Sequence, residues 1–146
     1  MGAAEGEGSV GPVFFVEAGL GAYRVPDGLE AAGAHVERHR THLPQGAPDA
    51  DWINLAAKRG WVALTKDRFH MRKGDRLERE AIHASGLRVF VLRSANLTGD
   101  EMAKAFERAL PRMKAMAAAH PGPFIARVHK DGRVTMWREG DGLLRP

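Results

Sequence analysis

The chain contains no cysteine. That excludes disulfide scaffolds, thiolate metal sites and cysteine nucleophiles. No apolar run approaches the length of a membrane span, and the N-terminus has no apolar signal core. Aromatic residues are scarce at 7%, with a single tyrosine, and acids are outnumbered, 18 Asp and Glu against 22 Lys and Arg. The net charge of +4 and the sequence pI of 9.8 favour a polyanionic or acidic partner. What remains is the make-up of one ordinary domain: 146 residues, 44% hydrophobic and 27% charged, enough to bury a core. The opening "MGAAEGEGSVGP" is glycine-rich and reads as a tail. Residues 1–12 are therefore expected to be a tail and residues 13–146 a single domain, without internal repeat or linker. From the absences alone, the expected compartment is the cytoplasm.

The apolar periodicity alternates between two kinds of element. "VFFV" at Val13–Val16 reads as a buried strand, and Val25, Leu29 and Ala32 then recur at helical spacing before Gly33. "AHVERHR" is short and alternating, a second strand. Trp52, Leu55, Ala56 and Arg59 form the stripe of a helix stopped by Gly60, and the strand "WVALT" follows at once. A helix around Asp75 to Ser85 leads into "LRVFVL", and Thr98 with Glu101 forms a capping box for the longest helix. There Met102, Phe106, Ala109, Met113 and Met116 recur with helical period, the mark of a core stripe more than of a binding surface, and Pro111 is expected to kink the helix. Two alternating runs around Asp131-Gly132 predict a β-hairpin from Phe124 to Trp137 with a tight type I′ turn. Such alternation of strand and helix specifies an α/β fold, a mostly parallel sheet flanked by helices with a C-terminal hairpin.

Two of the apolar runs end in an acid. Glu17 closes the first strand and Asp67 follows the third, while Asp49 starts the helix that feeds the third strand. In an open parallel sheet, ligands bind beyond the carboxyl ends of the strands. Three carboxylates gathered there repel one another unless a cation neutralises them. Oxygen-only ligands suit a hard ion, Mg²⁺ or Mn²⁺. Directly after Asp67 comes "RFHMRKGDRLER", in which Arg68, His70, Arg72 and Lys73 offer charge for a phosphate backbone.

Each feature also has a plainer reading. Asp49 at a helix start complements the helix dipole whatever else it does, and the basic run also reads as a solvated loop and helix face. Glu17 beside Phe14, Phe15 and Val16 is costly without a partner, and a salt bridge to Arg24 or Arg68 is the main rival to a metal. His35, His39 and His42 suggest zinc, but on a strand His35 and His39 lie roughly 13 Å apart, at about 3.3 Å per residue, and read as surface residues. Acids at two strand ends also mark phospho-accepting receiver domains. Those pair two acids at the first strand, where this chain has one.

With these motifs in hand, the sequence resembles the PIN domain superfamily of metal-dependent nucleases, and more narrowly its VapC-type, PIN-like toxin–antitoxin group. The resemblance runs through "VFFVEAGLGAYRVPDGL", "PDADWINLAAKRGWVALTKD", "NLTGDEMAKAFERAL" and "GPFIARVHKDGRV", nearly the whole chain after the tail. It implies a PIN-like three-layer fold and Glu17, Asp49 and Asp67 as catalytic and metal-binding residues, with Asp51 as the neighbour that shares the claim of Asp49. It implies Mg²⁺ or Mn²⁺ as cofactor and hydrolysis of RNA phosphodiester bonds, with Arg68, His70, Arg72 and Lys73 binding the nucleic acid. The partners expected are an RNA substrate, a cognate antitoxin protein and a second copy of the chain in a homodimer, with no membrane. Two departures stand out. Glu17 replaces the aspartate usual in such relatives, and "RSANLT" after the fourth strand, with Ser94 and Asn96, lacks the fourth acid that many PIN nucleases carry. These departures keep open a second reading, a degenerate PIN-like domain that binds nucleic acid or protein without cleaving.

Overall fold

The computed structural model describes residues 11–66, 76–93 and 96–137. Six strands form one sheet in the order β2-β1-β3-β4-β5-β6. They are β1 (Val13–Val16), β2 (His35–Arg38), β3 (Val62–Lys66), β4 (Arg88–Leu92), β5 (Phe124–Val128) and β6 (Val134–Trp137). The first five run parallel, and only β6 returns antiparallel along β5. The helices are α1 (Arg24–Ala31), the single turn α2 (His39–His42), α3 (Asp49–Arg59), α4 (Arg76–Ser85) and α5 (Gly99–Ala119).

Strand alternation divides the core in two. Phe14, Val16, Leu64, Phe90 and Ala126 face one way and pack with Val25 and Leu29 of α1 and with Met102, Phe106 and Met113 of α5. Phe15, Ala63, Val89, Val91 and Ile125 face the other way, onto Trp52, Ile53 and Ala56 of α3 and Ile82 of α4. Both faces of the sheet are thus buried, which is why its strands read as continuous apolar runs. Three layers, helix–sheet–helix, result.

The helix ends follow their sequence signals. Thr98 Oγ1 accepts from the Glu101 N–H at 3.1 Å and Glu101 Oε1 accepts from the Thr98 N–H at 2.9 Å, so the capping box closes α5. The Met102–Met113 stripe of α5 is core, as its period implies, and the helix continues through Pro111 to Ala119 as one element. Ala32, by contrast, lies past the end of α1 and is exposed, and Arg59 is exposed at the end of α3.

The hairpin forms between the expected strands, but its turn differs. The Gly132 N–H bonds to the His129 carbonyl and the His129 N–H to the Arg133 carbonyl, both at 2.9 Å. That encloses three residues, with Gly132 at φ +94° and Asp131 at negative φ. A type I′ turn needs positive φ at both central residues; here the Asp131 carboxylate instead accepts from the Arg133 N–H at 3.0 Å, and glycine alone takes the left-handed position. The hairpin also does more than cover an edge, because β5 is a full parallel neighbour of β4.

Candidate active site at the carboxyl edge of the sheet

Glu17 leaves the sheet at the end of β1 and is only 3% exposed. Its own N–H still bonds to the Leu64 carbonyl at 3.0 Å, so the ladder with β3 holds the backbone in place up to the acid. The carboxylate is oriented from both sides. Thr65 Oγ1 donates to Oε1 at 2.7 Å, and the Gly19 N–H donates to Oε2 at 2.8 Å as the chain turns into a 3₁₀ turn at Ala18–Leu20. A buried carboxylate is costly unless hydrogen-bonded, and these donors offset part of that cost.

Thr65 is fully buried and was not singled out from the sequence. Alternation along β3 puts it on the Ala63 face, and the register Val16↔Leu64 brings it beside Glu17. Only the pairing of β1 with β3 could reveal it, because 48 positions separate the two residues. Of the two rivals expected for Glu17, Arg24 pairs with Asp100 at 3.4 Å, and Arg68 lies outside the described residues.

Asp49 is the first residue of α3, and its Oδ1 accepts from the Trp52 indole N–H at 3.0 Å. Trp52 in turn stacks on Phe15, with ring centroids 6.2 Å apart. Phe15 lies two residues before Glu17 on the same face of β1, so Asp49 and Glu17 belong to the α3 side of one edge. Asp51, two residues on, is exposed. Asp67, Arg68, His70, Arg72 and Lys73 lie outside the described residues. Among the described residues, no three His, Asp or Glu side chains converge closely enough to hold a metal ion.

His39 and His42 depart from the surface reading, and His35 keeps to it. β2 ends at Arg38, so His39 is in α2 and not on the strand; it is 7% exposed and packs its ring 5.8 Å from Phe15. Because Val16 pairs with Arg38, His39 and Glu17 leave the sheet side by side. His42 bonds Glu37 at 2.6 Å and packs against Trp61, while His35 is exposed. Trp52 is core as expected, and Trp61 is half-buried, stacked on Phe15 at 5.9 Å. Positive charge gathers at the same edge, with Arg40 after β2, Lys66 ending β3 and Arg93 after β4. A large cavity of about 1240 Å³ lies well away, between α4 and the hairpin, lined by Ile82, His83, His120, Ile125 and Trp137 among others. Glu17 and Asp49 do not line it.

A family model described as "PIN like domain" matches residues 12–94, more than half of the chain and all of β1 through β4. The chain is a PIN-like domain of the VapC type. It is 34% identical over 119 residues to a Mycobacterium tuberculosis protein named "Putative ribonuclease VapC45", covering 79% of this chain and 84% of that relative. No solved structure matches the chain significantly. Within the PIN-like domain the matched span contains Glu17, Asp49 and Asp67, together with Thr65. Among the described residues, no helix is long and apolar enough to cross a membrane.

Proposed function

We propose that this PIN-like domain is a metal-dependent ribonuclease, the toxin of a toxin–antitoxin pair acting in the cytoplasm. The observation that carries the reading is Glu17, a carboxylate buried at the ligand-binding edge and aimed by Thr65 and the Gly19 N–H. A carboxylate buried there costs more than an apolar side chain would, so its presence at that edge supports a functional role. The relative's name supports the same activity.

Glu17, Asp49 and Asp67 would hold Mg²⁺ or Mn²⁺. The donor set fits, since it offers carboxylate oxygen without sulfur, and hard cations prefer oxygen. When bound, such an ion supplies an activated water and neutralises charge on the scissile phosphate. The chain's own residues do the rest. Thr65 and Gly19 fix the Glu17 carboxylate, Trp52 fixes that of Asp49, and Arg40, Lys66 and Arg93, with Arg68, His70, Arg72 and Lys73, attract the phosphate backbone. A cognate antitoxin would silence the site most directly with an arginine against Glu17 or Asp67, since a cation there satisfies the same carboxylates.

Incubating the purified protein with an RNA pool in Mg²⁺ or Mn²⁺, then with EDTA, tests this. Cleavage is expected with metal, and its loss with EDTA, in Glu17→Gln and in Asp67→Asn. Cleavage that survives all three rules out the mechanism. The degenerate alternative rests on the missing fourth acid in the stretch after β4, where Asn96 stands, and on Glu17 in place of the usual aspartate. That alternative gains if no RNA is cut and millimolar Mn²⁺ leaves the melting temperature unchanged, because an intact acid cluster binds the ion in the folded state only.

A further inference from the structure

The edge that carries Glu17 also presents an aromatic ring to water. Tyr23 ends the turn between β1 and α1 and is 63% exposed. Arg40 in α2 backs it: its guanidinium carbon lies 5.9 Å from the ring centroid, and its Nη1 donates to the tyrosine hydroxyl at 3.2 Å. The backbone under the ring is pinned on both sides. Arg38 Nη1 donates to the Ala22 carbonyl at 3.2 Å, and the Asp27 N–H donates to the Tyr23 carbonyl at 2.8 Å. Arg38 is itself anchored by Asp27 at 2.8 Å and Glu30 at 2.5 Å. The ring is therefore held ready, with a cation on one side and solvent over much of its surface. Trp61 offers a contrast. It too has a cation against it, Arg59 at 5.3 Å, but it is half-buried and stacked on Phe15, within the core under α3.

We propose that Tyr23, backed by Arg40, is a stacking platform for an unpaired base of the RNA. This rests on the ribonuclease reading for the strand's phosphates to run toward Glu17. Every base has a π-face, so stacking on a tyrosine beside an arginine tolerates sequence. It does not tolerate a duplex, whose bases are already stacked on one another and cannot turn toward a side chain. The platform thus reads strandedness, leaving sequence to other contacts.

The test is fluorescence anisotropy with a short labelled single-stranded RNA and its duplex, in EDTA, on the full chain and on Tyr23→Ala and Tyr23→Phe. Tyr23→Ala is expected to weaken single-strand binding about tenfold and leave duplex binding unchanged, while Tyr23→Phe keeps the affinity. With Mg²⁺ added, the same variant should raise KM and spare kcat, the sign of an interaction shared by ground and transition states. Single-strand binding by Tyr23→Ala equal to wild type overturns the proposal, as does an equal loss for single strand and duplex. A wild-type chain that binds no RNA overturns the platform, and the ribonuclease reading then stands or falls on cleavage in Mg²⁺. One that shows the Tyr23 dependence yet cleaves nothing in Mg²⁺ removes the ribonuclease and leaves the platform.

Discussion

One hydroxyl governs how the central carboxylate points. Thr65 Oγ1 is buried and donates to Glu17 Oε1 at 2.7 Å, while Gly19 holds the other oxygen. Thr65→Val keeps the shape and removes the donor, which leaves a buried charge under-satisfied at a cost of about 1–3 kcal/mol. Such groups that orient a ligand typically contribute about 10–100-fold to metal affinity or activity. Thr65→Val is therefore expected to fold, to melt at lower temperature and to need about tenfold or more Mn²⁺ for half-maximal cleavage. A Mn²⁺ titration of the rate identical to that of wild type would show that Thr65 only fills space. Restoring the hydroxyl with Thr65→Ser should recover much of the metal affinity.

Elements set where these residues can stand. Helix α5 shields the α1 face of the sheet, and its start depends on the reciprocal Thr98–Glu101 box. Thr98→Ala removes the acceptor for the Glu101 N–H and should lower stability by about 1 kcal/mol in a urea titration. The same box gives α5 a pH dependence. The Thr98 N–H, and secondarily Lys130, hold the Glu101 carboxyl below its ordinary value. A depressed folded-state pKa means this contribution is complete above the ordinary glutamate value and fades as pH falls through the lower, folded one. Wild type should lose more stability over that acidic window than Glu101→Gln, which has no carboxyl to titrate; equal acid sensitivity of the two would contradict this account.

Over the whole molecule, the hairpin is part of the sheet and not an arm attached to it. β5 pairs along its full length with β4, Phe90 meets Phe124 edge to face at 5.4 Å, and Phe124, Ile125, Val128 and Trp137 are all buried. Each large apolar side chain contributes about 1.5–3 kcal/mol on burial. Four of them are thus comparable to the roughly 5–15 kcal/mol that stabilises an entire domain. Deleting residues 124–146 is expected to give an unfolded or aggregated chain with little far-UV circular dichroism of native form. A truncated chain that melts cooperatively near the wild-type temperature would show the opposite, that β1 to β4 form the folding unit.

The order of strand and helix, the parallel sheet, the capped α5 and the positions of Glu17 and Asp49 at element ends are all legible in the chain, since they depend on local periodicity and on residues close in sequence. The sequence also carried enough of the family's motifs to point to a PIN-like domain. What it could not hold was register. Thr65 becomes a partner of Glu17 only because Val16 aligns with Leu64, and His39 turns inward only because β2 stops at Arg38. The Tyr23–Arg40 pair likewise joins residues 17 positions apart across two loops. Asp131-Gly132 specifies a turn but not its type, because the flanking pair His129–Arg133, not the dipeptide, sets the loop length. Local residues dictate what an element is. Which side chains meet at its end is decided by how neighbouring strands align, and that alignment is a property of the packed sheet.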